Sequence, residues 1–237
     1  MMLVPLDPDR RKLEESQAAP VPRPDVDESW VTVGDVAVRL VRPPGAVRVL
    51  PAVLYLHGGG FTVGNSGTHD RLVREIAVGA SVAVAFAEFD GSCWAALEQT
   101  YAVAQWIRER GRFSGLDGKR LAVAGDETGG ALAAVLSATR FRFSHQSLYY
   151  PRGLPEFALP GTSPDTFIVA RGHDDEASAL GQRLTTAGVR TRTVTFDDAP
   201  PHFMMLNALR SSPAADTAVR TAIDVLRRAS YPERTGP

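Results

Sequence analysis

Cysteine is nearly absent from this chain: Cys93 is the single thiol in 237 residues. One thiol excludes an intrachain disulfide and any cysteine-rich metal site, and Cys93 reads as a small, half-buried filler. No apolar run approaches the roughly 18 residues that a membrane-spanning helix needs. The opening MMLVPLDPDR carries too short an apolar stretch for a signal peptide, so the expected location is cytoplasmic, with no membrane partner. An excess of charge is lacking too. The formal net charge is −1, which leaves no basic field to gather nucleic acid or anionic lipid. What remains is small-molecule chemistry, and a hydrophobic content of 44% supports one domain with a full core.

In chain order, Asp7 and Pro8 open a charged surface helix, and residues 19 to 27 form a proline-rich connector. We take 1–30 as this helix and connector, and 31–237 as the domain. Two antiparallel strands are expected in Trp30–Val41 around a Gly34-Asp35 turn, then a doubly buried strand over Leu50–Leu54. From Thr68 onward helix and strand alternate: a helix, a strand from Ser81, a helix over Ala95–Arg110, and strands over Leu121–Ala124, Gln146–Tyr150, Thr166–Arg171 and Arg190–Phe196. Helices over Glu176–Ala187 and Pro213–Ala229 complete the series. Repeated strand-helix units of this kind imply an α/β class, a mostly parallel doubly wound sheet with helices on both faces and an antiparallel start.

The chain is organised around LAVAGDETGG at 121–130, a buried strand running into a glycine-flanked turn and then an apolar helix. Such a turn is a nucleophile elbow, which lifts one side chain above the sheet on a strained bend and needs small neighbours. The lifted position holds Glu127, where acyl transfer would place serine.

With HGGGF at 57–61, this elbow and the late HFMMLNAL beginning at His202, the chain resembles the hormone-sensitive-lipase-like, acetyl-esterase branch of the α/β-hydrolases. HGGGFTVGNSGTHDRLVREIA and AALEQTYAVAQWI fall in the order and spacing of that family, so the resemblance extends over nearly the whole chain. It implies an α/β-hydrolase fold. It also implies an oxyanion hole from Gly59, Gly60 and the N–H of Thr128, a general base at His202, and an orienting acid at Asp174. Two departures stand out. Between Tyr150 and Thr166 only a short loop replaces the helical insertion that roofs relatives, a reduced cap that leaves the site open or covered by the N-terminal helix or a partner chain, as in a homodimer. Second, Glu127 closes the covalent acyl-enzyme route, because an acyl-glutamate would be an anhydride.

Three readings of Glu127 stay open: a base or electrostatic group, a nucleophile toward an sp3 carbon, or a carboxylate that fills the oxyanion hole with its own charge. His202 is read as catalytic and His57 as a residue that fixes the glycine loop. His69, His145 and His173 lack ligand spacing and are read as structural or surface residues. Ser66, in the GNSG turn, is either a turn residue or a hydroxyl that replaces the elbow serine beside His202. Phe61, Trp94 and Tyr150 are candidates for lining the cleft. No cofactor or metal is called for. A pocket for an acylated small molecule with a histidine base but no elbow serine suits proton abstraction and departure of a carboxylate. That is a carbon-oxygen lyase, as in the esterase-like, acetate-eliminating lyases of spirotetronate-type polyketide pathways. The alternatives are a weak acetyl esterase with a relocated nucleophile, an alkyl-carbon hydrolase using Glu127, and a catalytically dead protein that binds a small ligand.

Overall fold

The computed structural model describes residues 8–154, 163–172 and 175–232. After α1 (Pro8–Ser16) come β1 (Asp27–Val33), β2 (Val36–Arg42), β3 (Leu50–Leu56), α2 (Asp70–Ala80), β4 (Ala83–Glu88) and α3 (Cys93–Arg110). The second half holds β5 (Leu116–Asp126), α4 (Glu127–Thr139), β6 (Gln146–Tyr149), β7 (Thr166–Ala170), α5 (Glu176–Thr186), β8 (Thr191–Thr195) and α6 (Pro213–Ser230). The strands form one sheet in the order β1-β2-β4-β3-β5-β6-β7-β8. β1, β2 and β4 pair antiparallel, and every pairing from β4·β3 to β7·β8 is parallel. This is the doubly wound sheet that the alternating pattern implied.

The apolar run of β3 is explained by its place inside this sheet. Ala52, Leu54 and Leu56 join one buried cluster with residues of α3, α4 and α5, while Val53 and Tyr55 join another with residues of α2 and α6. Both faces of a parallel strand are covered, so alternation disappears from its sequence. Helix starts follow local chemistry. Ser92, Asp175 and Ser212 each accept a hydrogen bond from the backbone N–H three residues on, and Pro213 follows its cap directly.

Three boundaries differ from expectation. β1 begins at Asp27, so the sheet reaches into the stretch read as a connector. The strand expected over Leu121–Ala124 starts instead at Leu116, because Leu116 and Asp117 pair with Leu50 and Pro51 ahead of an irregularity in register. Gly118 and its charged neighbours hide that extension from any apolar pattern. Finally, α4 starts at Glu127, and Gly129 lies inside its first turn. A Cβ on Gly129 would collide with the backbone carbonyls of Leu56 and His57, and one on Gly125 would sit 2.6 Å from the Leu56 oxygen. These glycines therefore let α4 lie directly on the end of β3.

Candidate active site

The carboxyl ends of the parallel strands converge at one end of the sheet, where open α/β sheets bind ligands. β3 delivers His57 to Gly60, β5 delivers Asp126 and Glu127, β6 delivers Tyr150 and Arg152, β7 delivers Arg171, and the loop after β8 delivers His202. Backbone strain is concentrated here. Among the described residues the non-glycine positions with positive φ are Phe61, Ser81, Glu127, Tyr150, Asp198 and His202, and four of these six belong to this region. Such conformations cost about 1–3 kcal/mol each and persist only where the surroundings impose them.

Glu127 occupies the elbow with φ 51° and is nearly buried. Its Oε2 accepts the Gly59 N–H at 2.9 Å, and its Oε1 accepts from Arg152 Nη2 at 2.5 Å. The Arg152 N–H also donates to the Glu127 carbonyl at 3.1 Å, so guanidinium and elbow are tied twice. Gly60 N–H donates to Thr128 Oγ1 at 3.1 Å. Both glycine amides expected to form an oxyanion hole thus already have acceptors, supplied by the two residues at the head of α4. Of the three readings of Glu127, the geometry matches the carboxylate that fills the hole.

Beneath Glu127, Asp126 is fully buried and its Oδ1 accepts from Tyr55 Oη at 3.0 Å, Gly58 N at 3.2 Å and His69 Nε2 at 3.1 Å. Burial alone would push this carboxyl up, but the charge and hydrogen bond of His69, the Tyr55 hydroxyl and the charge of His202 hold its pKa below the ordinary value. His69 is therefore a structural histidine, buried and paired. His57 is also buried: its Nδ1–H donates to the Gly58 carbonyl at 2.9 Å and its ring stacks on Phe89 at 4.2 Å. Desolvation, with the neighbouring His69, lowers its pKa from 6.5 to about 4, so it stays neutral.

A cavity of about 580 Å³ lies over this floor, bounded by Gly58, Gly59, Gly60, Glu127, Thr128 and His202 on the sheet side and by Lys12, Leu13 and Ser16 of α1 above. The N-terminal helix is the roof. It is fastened by Gln17, whose Nε2 donates to the Thr68 carbonyl and to the Met205 carbonyl at 3.0 Å, and whose Oε1 accepts the Asn207 N–H at 2.7 Å. The His202 loop is held from below by Arg71, which donates to the Met204 carbonyl at 2.6 Å, the Met205 carbonyl at 2.8 Å and Asn207 Oδ1 at 3.1 Å. A second, smaller cleft of about 70 Å³ joins Glu127, Tyr150, Arg152, Arg171, Pro201 and His202.

Of the residues singled out in the sequence, Gly59, Gly60, Thr128, Glu127 and His202 line the larger cavity, and Tyr150 lines the smaller one with Glu127 and His202. Ser66 lines neither. Its N–H donates to Glu88 Oε1 at 2.9 Å and its carbonyl accepts from Arg39 at 3.2 Å, which makes it a turn residue held toward β4 and β2. Trp94, at the start of α3, is 65% exposed with the Arg140 guanidinium 5.5 Å over its ring, so it is a surface residue and not part of the cleft. Phe61 packs toward Phe89 at 6.4 Å, against the core. Asp174 and His173 lie outside the described residues. The neighbouring Asp175 is the cap of α5, with its oxygens bound to Ser178 N and Arg171 N.

Arg152, Arg171, Gln17 and Arg71 were not singled out in the sequence. Arg171 directly follows β7 and Arg152 comes three residues after β6, and a position just beyond a parallel strand was the available signal. The internal residues Gln17 and Arg71 gave none.

The chain has the α/β-hydrolase fold. Residues 53–166 match the family described as alpha/beta hydrolase fold. Esterase LipI of Mycobacterium tuberculosis is 39% identical over 139 residues, 54% of this chain and 43% of that protein. The ethyl acetate hydrolase of Pseudomonas putida is 35% identical over 144 residues, 55% of this chain and 45% of that one. The chain spans about half the length of the curated relatives it matches. Among solved structures, a thermostable esterase from Pseudomonas putida superposes with a TM-score of 0.82 at 25% identity, over 94% of this chain and 90% of that one.

Proposed function

We propose that this chain is an esterase-like enzyme for an acylated small molecule and works as a carbon-oxygen lyase. One observation carries the reading: the carboxylate of Glu127 stands at the elbow with Oε2 on the Gly59 amide. Neither a serine nucleophile nor a free oxyanion donor at Gly59 is left, while His202 opens onto the same cavity. Hydrolysis through an acyl-enzyme needs both missing parts. Elimination needs neither.

In the proposed step, the His202 imidazole takes a proton from the carbon next to the one that bears the acyloxy group. The C–H electron pair becomes the new C=C bond, and the C–O pair leaves with the carboxylate. His202 then returns its proton to solvent. The test is product analysis by proton NMR and mass spectrometry, with acetylated compounds that carry an acidic C–H beta to the acetoxy oxygen. Alkene and acetate in equal amounts, lost in His202→Ala, support the lyase. Alcohol and acetate would overturn it.

That second outcome defines the alternative, an esterase in which His202 activates water directly. The similarity to named esterases favours it. The two readings share a substrate class and a base, and differ only in whether oxygen from water enters the product.

A further inference from the structure

The two edges of the sheet are β1 and β8, and they are guarded differently. β1 opens with Asp27 and Glu28, and Glu28 is ion-paired with Arg39 and Arg74, so charge lies along that edge. Charges of this kind, with proline and bulges, keep edge strands from pairing with other chains. β8, Thr191–Thr195, has no proline and pairs with β7 without a shift of register. Its single charge, Arg192, lies on one face of the sheet with its guanidinium 6.0 Å over the Phe167 ring.

The backbone of β8 presents a row of unused groups. The Arg190 carbonyl accepts from the Thr166 N–H at 2.9 Å, and the Phe196 N–H donates to the Ala170 carbonyl at 3.0 Å. Alternate residues of a parallel strand bond the same neighbour, so Arg192 and Val194 also turn toward β7, and the N–H and C=O groups of Thr191, Thr193 and Thr195 point outward. Among the described residues these outward groups have no backbone partner. A groove of about 630 Å³ runs beside them, lined by the three threonines and by Ser178, Gln182 and Thr185 of α5. Among the described residues no charged side chain lines it. Gly181 brings α5 close to the strand, since a Cβ there would collide with Thr193 Oγ1.

We infer that β8 is a self-association surface, on which β8 of a second copy pairs antiparallel about a two-fold axis at Thr193. The order Thr191, Arg192, Thr193, Val194, Thr195 selects both the partner and the register. Around that axis Thr193 meets its own counterpart, Thr191 meets Thr195, and Arg192 meets Val194. Threonine pairs are favourable across antiparallel strands, and Arg192 never faces Arg192. A parallel pairing in register would oppose the two guanidiniums. The threonine positions become the hydrogen-bonded pairs of the new ladder, so every outward group of β8 gains a partner. The interface is isologous and closed, which leaves no edge at β8 for a third copy. One sheet then runs through two copies, and the inference is independent of the reaction.

Sedimentation velocity on the intact chain is the test, with wild type expected to dimerise in the micromolar range. Thr193→Lys and Thr193→Asp each set like charges face to face at the axis, and each should weaken dimerisation by about a hundredfold or more. An equimolar mixture of the two variants should dimerise again, because opposite charges then meet. A misfolded variant would not be rescued in this way. Hydrogen exchange gives a second readout: the outward amides of Thr191 and Thr195 should be protected in wild type and exchange freely in either variant alone, while the inward Val194 amide keeps its protection. A wild-type chain that stays monomeric through that range, a dimer that both variants leave intact, or variants that fail to restore a dimer when mixed, overturns the proposal.

Discussion

Replacing Glu127 with serine tests whether the carboxylate masks a working oxyanion hole. The substitution removes both oxygens that now engage the Gly59 amide and Arg152, and it installs a hydroxyl at the elbow. The positive φ of the position is equally unfavourable for both residues, so backbone strain does not change the comparison. One donor is recovered, the Gly59 N–H. The Gly60 N–H stays with Thr128 Oγ1. A single oxyanion donor contributes about 2.7–4 kcal/mol to an acyl-transfer transition state, which is a factor of about 10² to 10³ in rate. The hydroxyl adds a nucleophile to that donor, so hydrolysis of p-nitrophenyl acetate by Glu127→Ser should exceed that of wild type by at least about that factor. Glu127→Ala, run beside it, frees the same amide without supplying a nucleophile and should gain far less. Covalent labelling by an organophosphonate, read by intact-protein mass, should appear in the serine variant alone. Equal hydrolysis by the serine and alanine variants, with no phosphonate adduct in either, would refute the reasoning.

Two further outcomes follow from residues around the site. Gln17→Ala removes side-chain bonds to the Met205 carbonyl and the Asn207 N–H, both buried. At about 0.5–1.5 kcal/mol for each of the two bonds, plus about 1–3 for an amide left without a partner, the expected loss is about 2–6 kcal/mol in urea denaturation. Faster hydrogen exchange at the Asn207 amide should accompany it, and a loss below about 0.5 kcal/mol would remove Gln17 from the account of the roof. The buried His57 and His145 both have pKa values lowered from 6.5 to about 4 by desolvation. Between those two values the unfolded chain binds protons that the folded one refuses, so stability is complete above pH 6.5 and falls as pH drops toward 4. The slope reaches about 1.4 kcal/mol per pH unit for each histidine. Urea midpoints at pH 7 and pH 5 measure this, and His145→Gln should remove about half of the difference.

The strand-helix alternation and the elbow were legible because both are local. Continuous apolar runs such as Leu50–Leu56 reflect burial on two faces, and the glycines at 125, 129 and 130 reflect close packing of α4 on β3. Boundaries failed where charge sits on a strand, as at Asp117 to Arg120, or where glycine sits inside a helix. The site was legible as far as strand ends reveal it: Glu127, the glycines and His202 share one cavity. The hydroxyl chosen for His202 was not. Ser66 lies near the glycine motif in sequence, but the Glu88 carboxylate and Arg39 hold its turn against β4 and β2. Nothing in a linear pattern reports which way a turn is drawn by residues on other strands. Arg152 escaped notice for the same reason, since its partner lies 25 positions earlier.

A consequence of this architecture concerns the roof and His202 together. Met205 and Asn207, a few residues beyond His202, are gripped from one side by Gln17 of the N-terminal segment and from the other by Arg71 of α2. Arg71 is buried, and desolvation lowers its pKa while Glu75, 2.9 Å away, offsets that cost. A charge is kept inside the protein where it can hold three acceptors of one loop at once. The loop carries His202 at φ 57°, a conformation that it would not keep unaided. Roofing the cavity and presenting its histidine are thus one mechanical problem with one set of bonds. The cover that α1 lays over the cavity is fastened to the loop that positions His202. Any change that lifts α1 away from Asn207 should therefore alter His202 as well as the opening of the cavity, so the two effects are coupled through Gln17 and not separable by truncation of the helix.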